Sequence, residues 1–274
     1  MTGAGLLSSG GGGERGAGRC RVEESGAGAS GAGGSAAGAF EIGVSEPKPE
    51  SEPQAAASVV AAWLVDDGLP DAEVAELFGL LDADERRRAV RKDTVDGRRR
   101  YVVAHGAVRR IVGEHLGAPP ADLRWRIGKH GKPALDGAWT GVQVNLSHSG
   151  GLCLVALSGR RAVGIDVQRY VPALNVVGMA RRYFAAEEAR QVAFAADPID
   201  TFAQLWARKE AVSKAAGGRL TQILPLVASA ERAVVETPAS AYRFADVEVP
   251  AGFRAAVALE GDAPFRVELR AWRP

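Results

Sequence analysis

At 274 residues and 46% hydrophobic content, the chain is long enough for one large domain or two modest ones, each with its own core. Lysine and arginine number 34 against 33 aspartate and glutamate, so the formal net charge is +1: no global field draws in nucleic acid or an anionic membrane, and any basic surface must be local. Cys20 sits in a glycine tract and Cys153 in an apolar run, which argues against a disulfide framework. With no charged leader before Leu6-Leu7 and no run of membrane-span length, the expectation is a cytoplasmic protein that is not exported.

Residues 1–56 are expected to form a disordered tail. They are rich in Gly, Ala and Ser, run through Ser45-Glu46-Pro47-Lys48-Pro49-Glu50, and hold too little apolar surface to order themselves. Folding signals begin near Val59. A strand over 59–65 is followed by helices over 70–80, 84–92 and 98–116, and then by short apolar or alternating strands over 123–127, 142–146, 152–157 and 162–167. Ser158-Gly159-Arg160-Arg161 joins the last two as an antiparallel hairpin. The order then repeats, with helices over 174–183, 186–195 and 199–216 and strands over 232–236, 242–249, 253–259 and 265–272. No residue-level repeat accompanies it.

The helix over 199–216 is the best marked. Asp197 can cap it, Pro198 suits the first turn, Asp200 favours the dipole, and Gly217-Gly218 ends it. These caps fix a stripe in which Phe202, Trp206, Glu210 and Lys214 recur every four residues, with Lys209 and Ser213 alongside. Taken alone, Glu210 and Lys214 are an ordinary i, i+4 salt bridge. The aromatics, however, lead the stripe inward, and a second acid, Asp166, closes the apolar run of Ala162, Val163 and Ile165. A buried carboxylate needs a cation or hydrogen-bond donors. Two carboxylates beside a lysine suit Mg²⁺, which is usually held by one or two carboxylates together with substrate phosphates.

Other segments are less pointed. Asn145-Leu146-Ser147-His148-Ser149-Gly150-Gly151 follows a strand and reads either as a cradle for phosphate or nucleotide or as a plain turn capped by serines. His148 has neither a metal-ligand partner at the usual spacing nor a neighbouring acid, which disfavours zinc and a Ser/His/Asp triad. Lys129-His130-Gly131-Lys132-Pro133 places two amines on a turn. The segment 84–100 has eight basic against four acidic residues, a local excess able to meet phosphates or an acidic protein. It lacks base-reading motifs and interleaved aromatics, so nucleic acid is not expected as a partner.

In chain order, Gly131-Lys132-Pro133, Asn145-Leu146-Ser147-His148-Ser149, Val163-Gly164-Ile165-Asp166-Val167 and the run from Trp206 to Lys214 resemble the successive signatures of the larger, surfactin-synthetase-activating type of 4′-phosphopantetheinyl transferase. The resemblance spans roughly 57–272. It implies an α+β pseudodimer of two similar halves with antiparallel sheets and an active-site cleft between them: an N-terminal half at 57–160, and a C-terminal half at 161–274 carrying the metal and catalytic residues. It further implies coenzyme A as co-substrate, acyl or peptidyl carrier proteins as partners, no membrane, and a monomer. Asp166 and Glu210 would hold Mg²⁺ and Lys214 would neutralise the transferred phosphate. Lys132, Pro133, Ser147 and His148 would grip the nucleotide end, Arg88 and Arg100 would meet further phosphates, and Trp206 would pack the helix in place.

One position departs from that pattern. Gln168 stands where many members have a second acid two residues after the aspartate. Its amide oxygen can ligate metal or orient a water but adds no charge, and Glu210 is the first candidate for general base. Two other classes stay open: a Mg²⁺-dependent hydrolase or transferase acting on coenzyme A or nucleotide without a carrier, and a non-catalytic carrier-binding module.

Overall fold

A computed structural model describes residues 58–128 and 130–274. The expected tail at 1–56, Cys20 and Lys129 lie outside the described residues. The described chain mixes helices with sheets that are antiparallel apart from one pair of strands. The first sheet has the order β10-β1-β5-β4, built from β1 (Ser58–Asp66), β4 (Gln143–Ser149), β5 (Leu152–Ser158) and β10 (Phe265–Trp272); β10 runs parallel to β1. A small ladder joins β2 (Trp125–Ile127) to β3 (Pro133–Leu135). The other large sheet has the order β6-β9-β8-β7, from β6 (Val163–Arg169), β7 (Val234–Glu236), β8 (Ala241–Val247) and β9 (Phe253–Glu260).

The two large sheets pack face to face. Strand side chains alternate between faces, so β5 sends Leu154 and Ala156 toward the partner sheet while Cys153, Val155 and Leu157 meet the helical layer. That layer comprises α1 (Asp71–Leu80), α2 (Ala83–Val90) and α3 (Val95–Leu116). The second sheet contributes Ile165, Val167, Val257 and Leu259 to the inter-sheet core. Its outer face shows Ala256 and Ala258, small enough for α6 (Pro198–Ala216) to lie close through Ala207, Ala211 and Ala215. A further cluster, including Phe184, Val192, Phe202 and Trp206, packs α4 (Val176–Tyr183) and α5 (Ala186–Phe194) on α6, and α7 (Leu220–Ile223) follows.

The strong local signals hold. The Asp197 carboxylate accepts from the N–H groups of Ile199 and Asp200, and Gly217 closes α6 in the left-handed region at φ 60°. Helix α3 begins three residues before the expected 98 because the Thr94 hydroxyl caps Gly97 N–H. The arginine-rich helix turns Glu85 inward: fully buried Arg109 bonds Glu85 at 2.5 Å, the helix-capping Asp82 at 2.6 Å and the carbonyls of Pro120 and Leu123.

Two expectations are corrected. The 152–167 hairpin does not form, because both edges of β5 are taken by β1 and β4, and β6 pairs with β9 instead. Arg161 anchors the connection on Glu260 O at 2.5 Å and Ser58 Oγ at 3.3 Å. Of the two readings of Asn145–Ser149 the plain turn does not hold: the segment lies inside β4, whose edge runs alongside β6 in the same direction. Three side chains on β4, spaced two apart, accept N–H groups of β6: Asn145 from Ile165 at 2.8 Å, Ser147 from Val167 at 3.3 Å and Ser149 from Arg169 at 3.1 Å. These bonds satisfy the outer edge of β6, which no backbone strand covers. No described helix is long and apolar enough to cross a membrane.

Candidate active site

The seam between β4 and β6 is where the acids meet. Alternation along β6 sends Val163, Ile165 and Val167 into the inter-sheet core and turns Gly164, Asp166 and Gln168 toward α6. Gly164 admits the helix: an added Cβ there would lie 2.0 Å from Ala211 O and 2.4 Å from Ala215 N. That approach sets Glu210 and Lys214 over Asp166.

Asp166 is 2% exposed. Its Oδ1 accepts from Ser147 Oγ and from Lys214 Nζ, each at 2.7 Å, whereas its Oδ2 is buried with no partner. Lys214 also donates to Ser147 Oγ at 2.8 Å and Ile165 O at 3.3 Å, and stands 3.8 Å from Glu210 Oε1. Ser147 thus commits its whole hydroxyl, one donor and two acceptor positions. Glu210 Oε2 accepts the indole N–H of Trp206 at 2.7 Å. Partial burial, and then the charge of Asp166, push the Glu210 carboxyl above its ordinary value against the pull of Lys214 and the indole. Gln168, at the front of the same face, donates its amide to Arg169 O.

Trp206 therefore does more than pack α6. Its ring lies 5.5 Å from Phe202 and 6.3 Å from Phe184, and its N–H orients Glu210. The i, i+4 spacing of Trp206 and Glu210 was the available signal for this bond. Lys209, alongside on the helical wheel, is absent from the site: it is fully buried, 2.7 Å from Glu188 Oε2, and bonds Leu224 O at 2.9 Å, tying α6 to the loop after α7.

The other expected residues spread around this centre. A cavity of about 230 Å³ is lined by Lys132, Pro133, Asn145, Leu146, Ser213 and Lys214 among others, so three of the four sequence signatures border one hollow. A larger, more open groove of about 470 Å³ at the end of α3 contains none of them. His148 keeps surface open to solvent, yet partial burial and then the charges of Lys214, His105, Lys92 and Arg100 hold it below the usual histidine value. Arg100 also pairs with Asp67 at 3.1 Å. Arg88 is exposed on α2, and its charge reaches Tyr101, whose ring stacks on His105 at 4.0 Å and lies under Lys92 at 5.1 Å.

Lys132 is tied down rather than free: Nζ donates to Val163 O and Ala215 O, each at 3.0 Å, joining the start of β6 to the end of α6. Burial pushes its amine down to about 8, against the charge of Glu260. A neutral amine still has N–H donors for both carbonyls. Because the unfolded lysine holds its proton to a higher pH than the folded one, the penalty of charged Lys132 is fully present below about pH 8. It fades as pH rises toward the ordinary lysine value. Thermal melting should show wild type gaining on Lys132→Met from about pH 8 to about pH 10. A flat or falling difference would refute this.

A sequence profile of the 4′-phosphopantetheinyl transferase superfamily matches residues 162–256, the stretch bearing Asp166, Gln168, Glu210 and Lys214. The chain is 31% identical over 168 residues to the 4′-phosphopantetheinyl transferase HetI of Nostoc sp., covering 60% of this chain and 71% of that protein. It is 26% identical over 164 residues to the transferase ffp of Bacillus subtilis, covering 59% and 70%, and 36% identical over 100 residues to AcpT of Salmonella typhi, covering 35% and 51%. The chain belongs to the 4′-phosphopantetheinyl transferase superfamily.

Proposed function

We propose that the protein transfers the 4′-phosphopantetheine group of coenzyme A to a serine of apo acyl or peptidyl carrier proteins, in the manner of the surfactin-synthetase-activating type. The observation that carries this reading is the buried, unpartnered Oδ2 of Asp166 beside Glu210 and Lys214, at a seam bordered by three family signatures. The serine oxygen bonds to the β-phosphorus of coenzyme A, the bond from that phosphorus to the bridging oxygen breaks, and 3′,5′-adenosine bisphosphate leaves. Glu210, with its raised affinity for protons, takes the serine proton directly or through a water. Lys214 meets the charge that develops on the transferred phosphate.

The donor set suits Mg²⁺, since Asp166 Oδ2, Glu210 Oε1 and the amide oxygen of Gln168 are hard oxygen ligands on facing elements. Among the described residues no three His, Cys, Asp or Glu side chains gather as a metal cluster, so the remaining ligands would be phosphate oxygens and water. Bound there, the ion would supply charge neutralisation at the diphosphate. The nucleotide end lies along Lys132, Pro133 and His148, with Ser147 holding Asp166 and Lys214 behind them. Arg88 and Arg100 face the outer phosphates. In this reading the halves 57–160 and 161–274 form a pseudodimer with the site in its cleft, β10 returning to the first sheet. The enzyme acts as a cytoplasmic monomer, without nucleic acid or membrane.

Incubation with coenzyme A, Mg²⁺ and an apo carrier domain should add one phosphopantetheine mass to the carrier serine and release an equal amount of 3′,5′-adenosine bisphosphate. Consumption of coenzyme A without a carrier, or several acyl and peptidyl carriers left unmodified, would overturn the proposal.

A further inference from the structure

The charge arrangement around Asp166 bears on how a metal could enter. The carboxylates of Asp166 on β6 and Glu210 on α6 lie near enough for their charges to interact, and an ammonium already lies against them: Lys214 Nζ is 2.7 Å from Asp166 Oδ1 and 3.8 Å from Glu210 Oε1. The third oxygen position on that face of β6 belongs to Gln168, which is neutral and spends its amide N–H on Arg169 O. Glu210 Oε2 is engaged by the Trp206 indole. The nearest further cation on the neighbouring strand, Arg254, pairs with Gln168 across β6 and β9 but is neutralised by both oxygens of Asp200. Two negative charges and one positive therefore leave a single net negative charge, with the Asp166 Oδ2 buried without a donor and Glu210 Oε1 3.8 Å from the ammonium.

Affinity for a hard dication follows the number of charged oxygen ligands, and Mg²⁺ gives up its water reluctantly. A net charge of minus one, with a tethered ammonium in competition, is a poor site for a bare ion. A diphosphate brings the missing negative charge and draws the ammonium toward itself. We infer that this protein takes its divalent cation together with a diphosphate-bearing ligand rather than before it, and that Lys214 and Gln168 set this order. The inference rests on the proposed reading of the site but concerns binding, so it can fail while that reading stands.

The test is equilibrium dialysis of the full chain against Mn²⁺ as probe, counting the ion retained with protein, alone and with saturating coenzyme A or inorganic diphosphate. Wild type should retain Mn²⁺ at least about tenfold more tightly with coenzyme A than without it. Gln168→Glu should tighten binding of the bare ion by about tenfold or more and shrink the gain from coenzyme A. Lys214→Met should move bare-ion binding in the same direction, which keeps the test decisive should the first variant misfold. Wild type binding Mn²⁺ equally well with and without ligand, or both folded variants leaving bare-ion affinity unchanged, would overturn the inference. A gain with inorganic diphosphate but none with coenzyme A would support the charge argument while overturning the coenzyme A reading.

Discussion

Transfer to a carrier serine should fall about a thousandfold in Asp166→Asn, a loss typical of removing a central electrostatic group from an active site. The asparagine keeps the shape, and its amide oxygen can still accept from Ser147 and Lys214 in place of Oδ1. What disappears is the charge and the free acceptor at Oδ2. The fold should survive, because Lys214 retains Ser147, Ile165 O and Glu210 and is partly exposed; about 1–2 kcal/mol covers the lost pairing. Glu210→Gln should lose activity on a similar scale, since its amide oxygen can still accept from Trp206 while the base and the charge are gone. Circular dichroism would confirm folding, and intact-carrier mass would measure the rate. Either variant retaining more than about a tenth of the wild-type rate would remove its acid from the chemistry and refute the shared metal site.

How much of this could be read beforehand depends on whether the signal was local. Helix α6 was legible because its cap, first-turn proline, terminal glycine and four-residue stripe all lie within one segment. The inward course of Asp166 was legible from the apolar residues before it. The pairing of strands was not: alternation tells which face a side chain takes but not which edge finds which partner, so β5 and β6 looked like a hairpin and the parallel β1–β10 pair gave no sign. Asn145, Ser147 and Ser149 left a plain turn open as one reading for a chemical reason. Small polar residues that favour turns also suit an edge strand that must offer acceptors to a neighbour, and only the fold distinguishes the two uses. The short β3 and α7 carried too few residues for any period to show. Lys132 was legible as an amine on a turn, but the carbonyls of β6 and α6 that it joins lie far along the chain and gave no local sign.

Gly164→Ala should be the most damaging change outside the charged residues. The methyl group would fall 2.0 Å from Ala211 O, 2.4 Å from Ala215 N and 3.0 Å from the Lys214 carbonyl carbon, all backbone atoms that no rotamer change can move aside. Relief requires α6 to lift from β6, or β6 to shift against β9. Either movement opens the small-residue contact of Ala211 and Ala215 and carries Glu210 and Lys214 away from Asp166. Overpacking of this severity should cost about 3 kcal/mol or more, lowering the melting temperature by about 6–12 °C for a chain of this size. Activity should fall further than stability alone explains, because the three charged groups are held in register only by that close approach. Gly159→Ala is the control: its added Cβ meets nothing within 4 Å, so melting and activity should stay near wild type. If Gly164→Ala melts within about a degree of wild type and keeps its rate, the close packing of α6 on β6 is refuted, and with it the placement of Glu210 and Lys214 over Asp166.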